Sequence, residues 1–141
     1  MKLTLALALL TMAGAAFAQA TPVGLWKTID DETKTEKSYV RITEAAGVLA
    51  GKVEKIIDAA KQNEVCDKCA DERKDKPILG MTIVRNAKKT DDGTWEGGDI
   101  LDPNNGKVYR LRLKPLDGGK TLEVRGYMGP FFRNQQWLRV E

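Results

Sequence analysis

The chain has 141 residues, 23 basic and 20 acidic side chains, a net charge of +3 and no histidine. The missing imidazole removes Ser-His-Asp and Cys-His catalysis and the commonest metal ligand, leaving carboxylates, Tyr, Lys, Arg and two cysteines as the groups an enzyme would have to use. Basic and acidic residues are interspersed, which excludes the basic stripe of a nucleic-acid binder.

Residues 1–18 carry one charge, Lys2, ahead of an apolar run from Leu3 to Phe17 that ends in Ala16-Phe17-Ala18. This is the pattern of a secretory signal peptide, with cleavage expected between Ala18 and Gln19 and an exported, periplasmic or secreted product. The run is shorter than the ~20 apolar residues of a spanning helix and no second apolar segment follows, so stable membrane insertion is not expected. Residues 19–141 then form one domain, large enough to bury a core without disulfide staples.

Gly24-Leu25-Trp26-Lys27-Thr28-Ile29 reads as the first strand, followed by a polar turn from Asp30 to Thr35. Ser38 to Thr43 alternates with Val40 and Ile42 on one face, and Val48 to Ile57 returns with Leu49, Gly51 and Val53 sharing a face. Gly51 inside that strand marks a bend or a close contact. Asp58 to Pro77 is a long, charged, irregular segment carrying Cys66 and Cys69, and its start predicts a helical turn at Asp58 to Lys61. A strand follows from Gly80 to Arg85, then a charged turn region from Asn86 to Gly93.

Thr94 to Leu101 and Lys107 to Leu113 form a central hairpin. Asp102 bonds forward to the backbone, Pro103 presets φ, and Gly106 accepts the positive φ that closes the loop. Asp117-Gly118-Gly119 turns the chain into a strand from Thr121 to Tyr127, Met128-Gly129-Pro130 breaks it, and Phe132 to Val140 is the last strand.

Eight strands joined mostly by short reversals, with no helical period between them, predict an all-β, eight-stranded antiparallel up-and-down barrel. Closure removes the exposed edges that such a meander would otherwise carry. A two-sheet sandwich is the alternative. A barrel of this size encloses either packed side chains or one small ligand.

Gly24-x-Trp26 on the first strand and Trp137-x-Arg139 on the last resemble the signature of lipocalin-like (calycin-type) barrels. There a first-strand Trp plugs one end and a basic residue from the last strand packs across the indole, which ties together the two strands that must meet. The resemblance gives Trp26, Trp137 and Arg139 a closing role, with Arg133 as the second candidate for the basic partner.

Gly97-Gly98-x-Ile100-x-Asp102-Pro103-x-x-Gly106-Lys107-x-Tyr109, then Leu122-x-Val124-Arg125-Gly126-Tyr127-x-Gly129, resemble the bacterial family known as domain of unknown function 2147. The likeness extends to the Asp30-Asp31 turn, Gly51 and the Cys66-x-x-Cys69 segment, and so to nearly all of residues 19–141. It implies a secreted lipocalin-like barrel of unassigned role. Lys34 departs from the family pattern, which often has Gly in this first turn.

Cys66 and Cys69 in an exported chain are expected to form a local disulfide. With no His and no further Cys, zinc lacks ligands, and neither a metal nor another cofactor is expected. Asp99 and Asp102 are a carboxylate pair, with Asp102 reading first as a turn-former. Gly97-Gly98 lies within a strand, so it is no phosphate cradle and leaves room for a bend or a ring.

The candidate ligand contacts are Arg125, Tyr127, Tyr109 and Trp95. Strand alternation sets Arg125 opposite the face of Leu122, Val124 and Gly126 unless the strand bends at Gly126; if it bends, Arg125 would anchor an anionic head group. The expected function is a non-enzymatic envelope protein that binds a small apolar or amphipathic ligand. The alternative is an envelope interaction or stress-related protein with a filled barrel and a protein-binding surface.

Overall fold

The structure, a computed structural model, describes residues 20–141. The expected signal peptide and its cleavage point lie outside the described residues.

Eight strands follow in chain order: β1 (Gly24–Ile29), β2 (Glu36–Ala45), β3 (Val48–Ile56), β4 (Thr82–Lys89), β5 (Trp95–Asp102), β6 (Lys107–Leu116), β7 (Thr121–Met128) and β8 (Phe131–Arg139). Each pairs antiparallel with the next, and β8 returns to β1 to close a barrel, so the sandwich alternative is overturned. Asp58 caps a single helical turn at Ala59–Lys61 by accepting from the Ala60 N–H at 2.9 Å. Among the described residues no helix is long and apolar enough to cross a membrane.

Alternation along the strands sends Trp26, Val40, Ile42, Leu49, Leu113, Leu122 and Trp137 into an interior where each is almost wholly buried. Gly51 is a close contact, since a Cβ there would lie 2.9 Å from the Val84 Cβ. The charged stretch from Asn86 is a correction: β4 continues through it to Lys89, with Asn86 at φ 61. The opposing segment explains how. Gly97 has φ 80, the β5–β6 register slips between Trp95 and Gly98, and a Cβ on Gly98 would lie 2.0 Å from the Arg85 carbonyl oxygen. The two glycines are thus a bulge that lets β4 cross close by.

The two ends of the barrel differ. At one end the Arg139 guanidinium stacks 4.3 Å from the centroid of the Trp26 ring, and Trp26 Nε1 donates to the Pro22 carbonyl at 2.7 Å. Arg139 also donates to the carbonyls of Val23, Thr21 and Gly119, which draws the segment before β1 and the β6–β7 turn across the base. The opposite end carries the β1–β2 loop, the long β3–β4 connection and the β5–β6 and β7–β8 hairpins.

Cys66 and Cys69 are joined in a disulfide within the long connection. Its backbone packs on the β5–β6 turn so closely that a Cβ on Gly106 would lie 2.0 Å from the Lys68 carbonyl oxygen.

Candidate functional site

The open end leads into a cavity of about 340 Å³, at the small end of the range for ligand pockets. Val53, Ile56, Ile78, Ile83, Ile100 and Val124 supply apolar wall. Gly126 makes part of that room: a Cβ there would lie 2.9 Å from the Tyr109 Cβ, so the missing side chain lets the Tyr109 ring lie against β7.

The polar groups gather at the mouth, because β8 presents Arg133, Gln135 and Trp137 on alternate positions of its inward face. Arg133 donates twice to Asp31, through Nε at 3.1 Å and a terminal nitrogen at 2.7 Å. Its other terminal nitrogen reaches Asp102 at 3.2 Å and the Tyr109 hydroxyl oxygen at 3.4 Å. Gln135 Nε2 donates to Asp31 at 3.0 Å and its Oε1 accepts from Trp137 Nε1 at 2.9 Å. Asn105 Nδ2 donates to the Tyr109 oxygen at 3.1 Å. A single network therefore ties the floor of the cavity to two loops of its rim.

The electrostatics follow from that geometry. Hydrogen bonds from Arg133 hold the Asp31 carboxyl below its usual range against the opposing effect of burial, and Asp31 in turn pushes the Arg133 guanidinium further up. Asp31 is ionised at neutral pH, and Arg133 is permanently charged.

Tyr109 and Trp137 line the cavity. Trp26 and Arg139 meet at the closed end. Trp95 is a correction to the expected ligand contacts: it begins β5 at the closed end, buried beneath Lys89 and apart from the cavity lining. Arg125 and Tyr127 are likewise corrected. The strand does not reverse its faces at Gly126, so Leu122, Val124 and Gly126 point inward and Arg125 outward. There Arg125 donates to Asn134 at 2.6 Å and stacks 4.6 Å from the centroid of Phe132, with Tyr127 beside it.

Arg133, the second candidate for the Trp26 partner, belongs instead to the mouth. Asp99 and Asp102 do not converge. Asp99 pairs across the sheet with Arg110, which lies over Tyr127 on the outer face, while Asp102 caps the hairpin turn by accepting from Asn104 N–H and binds Arg133.

Sequence reasoning does not single out Gln135 or Asp31, and gives Arg133 a different place, although the three form the network at the mouth. Arg133 and Gln135 share the phase of Trp137 and Arg139, a period-two signal within reach of strand reasoning. Asp31 lies 102 residues from Arg133 in the chain, and no local pattern joins them.

An eight-stranded barrel, plugged at one end by a Trp–Arg stack and open at the other into an apolar cavity, is a lipocalin-like fold. The chain belongs to the family described as an uncharacterised protein conserved in bacteria, domain of unknown function 2147, which matches residues 24–139. The fold is similar to that of protein HP1028 from Helicobacter pylori, described as belonging to the lipocalin family, with a TM-score of 0.74 and 17% identity over 86% of this chain and 84% of that one. No functionally curated protein matches the sequence.

Proposed function

We propose that this protein is a non-enzymatic binder of the bacterial envelope that holds a small apolar or amphipathic ligand in its barrel. The observation that carries this reading is the cavity itself: about 340 Å³, apolar along its walls and ringed by polar groups on one side only. That polarity gradient suits a molecule whose apolar part enters first and whose polar end stays at the rim. The same space argues against the alternative of a barrel filled by its own side chains.

Export is part of the proposal. It draws on the leader-like residues 1–18 and on a disulfide suited to an oxidising compartment. N-terminal sequencing of the envelope-purified protein should begin at Gln19; a start at Met1 refutes export by cleavage.

Native mass spectrometry of the same preparation should show an adduct that organic extraction removes. The stripped protein should then take up an apolar fluorophore saturably, in competition with amphiphiles. Failure of both measurements rejects ligand binding.

A second reading, a protein-docking surface, is favoured by the β7–β8 hairpin, where Phe131 is 77% and Phe132 55% exposed. A Phe131→Ser, Phe132→Ser variant that folds, binds the fluorophore normally and loses an envelope partner in cross-linking would support it. Unchanged cross-linking would reject it.

A further inference from the structure

We infer that the cavity selects an amphiphile with a cationic head group over a carboxylate of the same chain length. The inference rests on the ligand-binding reading above and adds the charge of the ligand to it.

Arg133 is a half-buried cation at the mouth, and considered alone it invites a carboxylate. Its three nitrogens already hold protein partners, which leaves at most one of its five N–H groups. Nε and one terminal nitrogen face Asp31, and the other terminal nitrogen faces Asp102 and the Tyr109 oxygen. The group of Asp31, Arg133 and Asp102 carries two negative charges and one positive, a net charge of about −1 at neutral pH. An incoming carboxylate is left at most that one N–H unless it displaces a carboxylate that the protein holds in place, and it enters surroundings that are already negative.

The rest of the rim leans the same way. Asp30, Glu36, Asp58 and Glu64 line the opening with Lys37 and Lys61. Lys61 is exposed, as are Glu36, Asp58 and Glu64, and Glu36 is paired with Lys27, so solvent screens these outer charges; half-buried Asp30 and Lys37 offset each other, and the triad decides the preference.

A primary ammonium fits this mouth chemically. It brings three N–H donors to carboxylates whose oxygens can each accept more than one hydrogen bond. A neutral alcohol gains the apolar contacts without the charge term, so it falls between the two.

The test is displacement of the neutral probe N-phenyl-1-naphthylamine from the purified protein at pH 7 and low salt by decylamine, 1-decanol and decanoate, the two ionic competitors below their micelle concentrations and decanol below its solubility limit. Decylamine should bind about tenfold more tightly than decanoate, with decanol between them. Asp102→Asn keeps the turn-capping acceptor and makes the triad neutral, so it should narrow that gap severalfold. High salt should narrow it in the unaltered protein as well, which keeps a readout if the variant does not fold.

Decanoate binding as tightly as decylamine, or more tightly, overturns the charge preference and leaves cavity binding standing. No uptake of the probe and no competition by any of the three overturns both.

Discussion

Gly126 and Lys34 show how single residues set the site. Gly126 exists where a side chain would collide with Tyr109 at its Cβ, an atom that cannot swing away. Gly126→Ala should cost about 1–3 kcal/mol by overpacking and weaken binding of an apolar probe, because the Tyr109 ring must move into the cavity. Urea denaturation and probe titration on the same sample check both outcomes. Lys34 holds φ 60 in the β1–β2 loop, the left-handed conformation that glycine adopts without penalty. Lys34→Gly should therefore stabilise the protein by up to about 1 kcal/mol, reduced by the greater freedom of Gly in the unfolded chain, and the urea midpoint should rise.

Among the elements, β1 and β8 carry the burden of closure, and their seam is uneven. Their register pairs are Trp26↔Arg139 and Lys27↔Leu138, both near the closed end. Toward the mouth, side chains take over, with Arg133 and Gln135 of β8 bonding to Asp31 just beyond β1. Arg139 secures the paired part of the seam by stacking on Trp26 and donating to carbonyls before β1 and in the β6–β7 turn. Arg139→Ala should cost roughly 3 kcal/mol through the lost stack and the buried carbonyls left unpaired, read by thermal denaturation. Arg139→Lys should recover little of this, since an ammonium has neither the planar face nor the fork. Full recovery by lysine would show that charge alone matters at this position.

For the whole molecule, acid is the informative perturbation. Asp31 is held below its usual range chiefly by Arg133, Asp30 by the Thr33 backbone N–H, and Asp71 is lowered to about 2 chiefly by hydrogen bonds from Arg73. A carboxyl whose pKa is lower folded than unfolded contributes stability fully above the unfolded value, near 3.8 for Asp, and loses it as pH falls through the folded value. Stability should therefore fall between about pH 4 and pH 2 as these three carboxyls protonate. Asp30 and Asp31 sit at the mouth, so probe release should accompany the early part of that fall. Denaturation midpoints and probe fluorescence across this range test it, and probe retention down to global unfolding would separate the mouth network from binding.

Much of the architecture was legible in the chain because it rests on local rules. Asp102 to Gly106 closes a turn through bonds within a few residues, and the alternation of Val40 with Ile42 or Leu122 with Val124 marks a buried face without knowledge of the partner strand. The Trp26–Arg139 closure was legible only through resemblance, since nothing local relates residues at opposite ends of the chain. The candidate site was the least legible. Arg125 and Tyr127 drew attention as a charged and aromatic pair, but the direction of a side chain depends on whether the strand bends at Gly126, and packing against Tyr109 keeps it regular.

The sequence by itself determined the strands, except the second half of β4, together with most turns, the disulfide candidates and the all-β class, because each depends on backbone preference and on hydrophobic period over a few residues. Only the tertiary structure decided that Arg133, Asp31 and Asp102 meet at one mouth and that Arg133 is already paired with two carboxylates there. The reason is barrel closure. It carries the start of β8 round to the β1–β2 loop, and charges far apart in the chain acquire a common field only when the sheet has come full circle.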